Sequence, residues 1–97
     1  MKTLPGTWYA LSDMQPGAHG IVRHLHGDAY FITVLASRGI TVGAKLEVLR
    51  NSAHSPLLLM VRDVRLALGR NEAAAIEVEL VAKGNKSIRP PRLRKRR

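Results

Sequence analysis

The chain has 97 residues, of which 45% are hydrophobic, and it contains no cysteine. This length suits one small domain with a modest core, and the apolar fraction is typical of a globular fold. The lack of cysteine excludes disulfide bonds, thiolate metal sites and cysteine nucleophiles. No apolar run approaches the roughly 18 residues that a membrane-spanning helix needs, and no secretory signal pattern is present. The absence of cysteine fits a cytoplasmic location.

The formal net charge of +9 is concentrated at the C-terminal end. Residues 83–97 hold eight of the sixteen basic residues and no acidic residue, whereas residues 1–82 are nearly neutral. This tail cannot bury enough apolar area to offset its ordering entropy, so we predict disorder. It is also the predicted contact for an anionic membrane surface or for nucleic-acid phosphates, with a solvated end of no function as the alternative. The tail residues assigned to such contacts are Arg89, Arg92, Arg94, Lys95, Arg96 and Arg97.

The N-terminal part shows few signals of regular structure. Residues 1–10 are predicted to form an extension without an element of its own, in which Trp8 and Tyr9 lie over the edge of the domain or, alternatively, bind a partner. Pro16-Gly17 predicts a turn, because proline fixes φ and glycine accepts the positive φ that follows. The first strand is predicted at 21–25, and the pattern leaves open which of its faces points inward.

Residues 28–38 carry two conflicting signals. The centre of this segment is rich in aromatic and β-branched residues, which favours a strand. Asp28 is a good helix N-cap, and Gly39 is a good residue to end a helix, which favours a helix over the same residues. Local physics leaves both possibilities open.

The second half of the chain predicts a series of short strands. Alternation of apolar and polar residues indicates strands, Asp63 favours a tight turn, and Asn71 is a candidate cap for one helical turn. Together with 21–25 this makes five short strands with tight connections, a pattern typical of a small barrel without exposed edges. The strands are predicted at 45–50, 57–62, 64–68 and 76–80, and the helical turn at 69–75.

Several runs of residues follow one another in a characteristic order: Leu11-Ser12-Asp13-Met14, Pro16-Gly17 with Gly20, then the runs at 39–43, 46–48, 64–68 and 72–78. In their order and spacing these runs resemble the ferrous iron transport protein A (FeoA) family over roughly residues 11–80. The resemblance implies a mainly β fold, a small SH3-like five-stranded β-barrel with an inserted short helix at 28–38. It divides the chain into an N-terminal extension (1–10), the barrel (11–82) and the basic tail (83–97).

The resemblance also implies a function. It indicates a small cytoplasmic accessory protein of ferrous iron uptake that binds or modulates the cytosolic region of a FeoB-type transporter. The chain departs from the family pattern at Ile32-Thr33-Val34, where the helix is usually basic, and at Arg38, where a leucine is usual. We therefore take Ile32, Val34 and Arg38 as candidate partner-binding residues, with packing of the two apolar side chains on the barrel as the alternative. Homo-oligomerisation stays open.

The remaining chemistry predicts neither an enzyme nor a cofactor site. His24 and His26 would share one face of a strand, but two imidazoles without a nearby carboxylate make a weak ligand set, so no dedicated metal site is predicted. No serine lies in an elbow motif, and no glycine-rich phosphate loop is present. The alternative function is a transcription-associated regulatory module, a repressor-type SH3-like domain with a nucleic-acid-binding tail.

Overall fold

The computed structural model describes residues 7–81, which form six strands, a 3₁₀ turn and two helices. The helix expected over residues 28–38 and the five predicted strands are all present, so the mainly β fold with one inserted helix is confirmed. The strands are β1 (Trp8–Ala10), β2 (His19–Leu25), β3 (Lys45–Arg50), β4 (Leu57–Val61), β5 (Val64–Leu68) and β6 (Ile76–Val81); the 3₁₀ turn is Leu11–Asp13, and the helices are α1 (Ala29–Ser37) and α2 (Arg70–Ala74).

All six strands form one antiparallel sheet in the order β1-β6-β2-β3-β4-β5. Buried residues of β2 to β6 enter a single hydrophobic cluster with the 3₁₀ turn and both helices, so the sheet must curl around one core. The curled sheet is barrel-like, but β1 and β5 do not pair with each other. The complete removal of edges expected from the sequence is therefore wrong for residues 7–81.

The N-terminal residues contribute a strand that the sequence pattern missed. Trp8 pairs with Glu79 and Ala10 with Glu77, so β1 extends the sheet beyond β6. Three residues are too few to show an alternating pattern in the sequence. They form a strand because the neighbouring strand β6 offers backbone hydrogen bonds. Tyr9 packs against the core, whereas Trp8 keeps 46% of its surface exposed. The expectation that residues 1–10 hold no element is thus wrong.

A register shift in β2 decides which of its faces points inward. Val22 and Leu25 are both buried although they are three residues apart, a spacing that a regular strand would place on opposite faces. The pairing with β6 is irregular between Val22 and His24, and this bulge turns Leu25 back to the core. His24 is left exposed on the outside.

Helix α2 begins earlier than the sequence suggested. Gly69 is its N-cap residue, and the Glu72 carboxylate accepts a hydrogen bond of 2.9 Å from the Gly69 N–H. The predicted cap at Asn71 is wrong, because the Glu72 side chain satisfies the first free backbone donor instead. Asn71 lies exposed within the helix.

A partly buried connection joins the 3₁₀ turn to the end of β3 and to α2. The Asn51 side-chain amide donates to the backbone oxygens of Ser12 at 3.0 Å and Met14 at 2.6 Å. Its side-chain oxygen accepts a 2.7 Å hydrogen bond from Arg70 Nη1. Leu11 and Met14 are buried beside this connection.

Candidate functional site

Helix α1 is held at both ends by local chemistry. The Asp28 carboxylate accepts a hydrogen bond of 2.9 Å from the Phe31 N–H, as an N-cap residue does. At the other end Gly39 has φ +91° and donates to Ala36 O, while the Ile40 N–H reaches Leu35 O. This pair of bonds is a Schellman motif, for which a glycine is the favoured residue. The helix therefore has well-defined limits at 29 and 37.

Few side chains attach α1 to the barrel. Leu35 is its one fully buried residue, and Phe31, one turn earlier, packs against the core while partly exposed. No residue of Ala29–Ser37 is charged, although most of them face solvent. Tyr30 is the extreme case, with 78% of its surface exposed. An uncharged exposed helix face of this kind is typical of an interaction surface.

The candidate residues from the sequence do not form one patch. At about 100° per residue, Ile32 and Val34 lie about 200° apart, on opposite flanks of α1. Ile32 is 36% exposed, Val34 is half-buried, and Arg38 is exposed one turn beyond Val34 on the same flank. Tyr30 lies on the outward face between the two flanks. The departures from the family pattern, which selected the other residues, gave no signal for Tyr30.

Opposite charges lie at the two ends of α1. Asp28 and Glu72 lie at the N-terminal end, beside an open pocket of about 310 Å³ that Phe31 also lines. Arg38 ends the helix, and the Arg62 side chain lies over Gly39, since a Cβ there would be 3.6 Å from Arg62 Cδ. Within residues 7–81, none of these four charged side chains takes part in an ion pair. The uncharged face thus runs from an acidic to a basic end.

The histidine pair lies elsewhere, on the outer surface of β2 and the residue after it. The His24 and His26 rings are in edge contact with centroids 4.3 Å apart. Glu77 pairs in register with His24, and its carboxylate is 3.1 Å from His26 Nε2. The expectation of no nearby carboxylate is therefore wrong. Even so, no group of three or more His, Asp or Glu side chains within residues 7–81 is arranged to hold a metal ion.

Two further expectations from the sequence concern the basic tail and membrane-spanning helices. The basic tail, with the assigned residues from Arg89 to Arg97, lies outside the described residues 7–81. Neither helix within residues 7–81 is long and apolar enough to span a bilayer.

Comparison with known proteins identifies the family. The family model of the FeoA domain matches residues 9–80. A relative from Methanocaldococcus jannaschii, named as a putative Fe(2+) transport protein A, is 32% identical over 71 residues, which are 73% of this chain and 85% of the relative. The chain belongs to the FeoA domain family. The resemblance inferred from the sequence is thereby confirmed.

Solved structures agree with this FeoA assignment. An iron uptake regulatory protein (FeoA) has a TM-score of 0.75 at 33% identity, covering 77% of this chain and all of that one. A manganese-dependent transcriptional repressor has a TM-score of 0.72 at 23% identity, covering 81% of this chain but only 44% of the repressor. At that identity the likeness shows the fold alone. The small SH3-like barrel is therefore common to this FeoA domain and to part of the repressor.

Proposed function

We propose that this FeoA-domain protein is a cytoplasmic accessory protein of ferrous iron uptake that binds the cytosolic region of a FeoB-type transporter. The observation that carries the proposal is the family match over residues 9–80, together with a relative named for Fe(2+) transport. The proposed action is binding rather than catalysis. Small barrels of this type bind through exposed grooves and faces, and α1 offers such a face.

The proposed contact is the outward face of α1. Tyr30 supplies the largest exposed apolar surface there, and a tyrosine ring loses little conformational entropy when a partner covers it. Ile32 on one flank, and Val34 with Arg38 on the other, extend the contact around the helix. An aromatic anchor with a charged residue at its edge is the usual composition of the centre and rim of an interface.

The test is a titration of the full-length chain against the cytosolic region of the transporter. Tyr30→Ala is expected to weaken binding by about tenfold or more, the effect of losing a hot-spot side chain. Val64→Ala is the matched control, because Val64 is also an exposed apolar residue, at 54%, but lies on edge strand β5. Equal affinity for both variants and the wild type would place the contact elsewhere, and absence of binding by the wild type would contradict the proposal itself.

The alternative, a nucleic-acid-associated regulatory module, depends on the basic tail. Its observable consequence is an affinity for DNA or RNA that falls steeply as salt rises, because phosphate contacts release counterions. A full-length variant with glutamine at the six tail positions separates the two functions. It should lose any affinity for DNA or RNA, and it should keep its binding to the transporter if the leading proposal is right. The substituted positions are Arg89, Arg92, Arg94, Lys95, Arg96 and Arg97.

A further inference from the structure

Strand β5 has one edge that no other described strand pairs with. Its residues pair with β4 in unbroken register. Both residues of the connecting turn at 62–63 have positive φ, the geometry of a two-residue hairpin, so the flanking residues Val61 and Val64 form a hydrogen-bonded pair. Hydrogen-bonded pairs alternate along an antiparallel ladder. The backbone N–H and C=O groups of Arg65 and Ala67 therefore point away from β4, toward the free edge.

The side chains along this edge are largely exposed as well. Val64 has 54% of its surface exposed, and Leu66 is half-buried. These two share the inward face of β5, whereas Arg65 and Ala67 are exposed on the outward face. A strand added at this edge would cover apolar surface at Val64 and Leu66, and it would also pair the free backbone groups.

The two edges of the sheet differ in their protection against strand addition. Proteins protect edges with short strands, prolines, bulges or inward-pointing charges. Strand β1 is only three residues long, whereas β5 has five residues, no proline and no shift in its register with β4. Its single charge, Arg65, lies on the outward face and has no ion pair in the part of the chain that the structure describes. Arg65 thus disfavours a basic strand and favours one with an acidic residue opposite it.

Arg65 also argues against a second copy of this chain as the added strand. Two copies of β5 that pair antiparallel over their whole length have the two-fold axis beside Leu66, which makes the two Arg65 side chains diagonal neighbours on one face. An axis at Arg65 would bring them directly opposite each other. Both arrangements place like charges together, so the charge of the edge fits a different, acidic chain.

We propose that the free edge of β5 binds an extended segment of another protein by strand addition, with an acidic residue opposite Arg65 and apolar residues opposite Val64 and Leu66. Arg65 and Ala67 each exchange two backbone hydrogen bonds with an antiparallel partner, so four such bonds hold the segment. The backbone bonds provide the affinity, and the side-chain contacts provide the specificity. The site uses other residues than the outward face of α1 and does not rest on the proposed function.

An NMR titration of the isotope-labelled full-length chain tests the proposal without the transporter. The probe is a peptide with capped ends, Ser-Thr-Val-Glu-Val-Thr-Ser, whose central glutamate is flanked by apolar residues. It is expected to shift the backbone amide signals of residues 64–68 saturably, with a dissociation constant of about 1 mM or tighter. The same peptide with lysine in place of glutamate is expected to bind about fivefold more weakly, because like charges then lie opposite each other.

Reversing the charge of Arg65 separates this site from other basic surfaces. Arg65→Glu is expected to invert the preference, so that the lysine peptide binds more tightly than the glutamate peptide. Contacts of the peptide with the basic tail would not change with this substitution, and they would appear at the amides of residues 83–97. A variant that still prefers the glutamate peptide would overturn the proposal.

Substitutions at Ala67 test the backbone contact. Ala67→Pro removes the N–H that points to the free edge and leaves the bonds to β4 intact, so it is expected to weaken peptide binding by about tenfold. Ala67→Thr is the matched control, because it keeps the N–H and suits a strand, and it is expected to bind like the wild type. Circular dichroism verifies that each variant keeps the fold.

Three further results would overturn the proposal. The first is the absence of shift changes at residues 64–68 with up to about 5 mM of the glutamate peptide. The second is an Ala67→Pro variant that is folded and binds as tightly as the wild type. The third is a concentration-dependent change of the same signals in the wild type alone, which would assign the edge to a second copy.

Discussion

Asn51 carries a stability contribution that can be worked out from its three hydrogen bonds. Asn51→Ala removes two bonds to the backbone oxygens of Ser12 and Met14 and one bond from Arg70. A neutral hydrogen bond contributes about 1 kcal/mol, and a bond to a charged group somewhat more, although this site is only partly buried. The expected loss is therefore about 2–3 kcal/mol in the free energy of unfolding. For a domain of this size that corresponds to a melting temperature lower by about 10–20 °C.

Urea unfolding followed by circular dichroism measures this loss, with Arg70→Met as the matched control. That variant keeps the aliphatic stem of the side chain and removes only the third bond, so its expected cost is about 1 kcal/mol, less than the loss expected for Asn51→Ala. In the Arg70→Met background, Asn51→Ala should cost less than in the wild type, because the pair is coupled. A loss below about 0.5 kcal/mol for Asn51→Ala would refute the reasoning, since it would mean that water replaces these bonds without penalty.

Three further predictions follow from the backbone and the core. Gly27→Ala would place a Cβ in overlap with Phe31 Cδ2 and should lower the free energy of unfolding by about 2 kcal/mol or more. Gly43 has open space around it, so Gly43→Ala should lower that free energy by only about 1 kcal/mol, because of its φ of +96°. Thermal melts of the two variants check this order. Arg62 and Asp63 form a turn with φ of 52° and 66°, and such turns favour an Asn-Gly pair. The double substitution Arg62→Asn with Asp63→Gly should therefore raise the free energy of unfolding by about 1 kcal/mol, measured as a higher melting temperature. Leu35→Ala removes the buried contact of α1, and an expected loss of about 2–5 kcal/mol should come with faster amide exchange over residues 29–37; unchanged exchange there would contradict Leu35 as the anchor.

The sequence predicted most of the regular structure because local signals and the global fold agree in those segments. Strands β3 and β6 alternate apolar with polar residues, β4 is apolar throughout, and alternate residues in each are the buried ones. Segment 28–38 was different, since its composition favoured a strand while its ends favoured a helix. Only the order of motifs along the whole chain, through the resemblance to the FeoA family, resolved it. The helix is formed despite its β-branched residues, because the caps at Asp28 and Gly39 and the contact of Leu35 outweigh propensity.

The candidate site could be predicted in part. The sequence placed the candidate site on the helix at 28–38, from the loss of the usual charges at Ile32 and Val34, and partner binding there stays a prediction. It could not tell which residues share a face, because that requires knowing the inward side, which Phe31 and Leu35 define only after packing. Tyr30 was therefore missed. The proximity of Glu72 to Asp28 joins residues far apart in the chain, and local pattern does not report such contacts.

The resemblance to the FeoA family implied the fold and the helix at 28–38. By itself the sequence determined the segments of β2 to β6, the end signals of α1 and the concentration of positive charge in residues 83–97. These are properties of adjacent residues or of their spacing. The tertiary structure alone decided the strand at Trp8–Ala10, the bulge that turns Leu25 inward, the hydrogen bonds of Asn51 and the side of α1 that faces solvent. Each of these features depends on a contact between residues that are distant in sequence. Such a contact contributes stabilising free energy only after folding has brought those residues together.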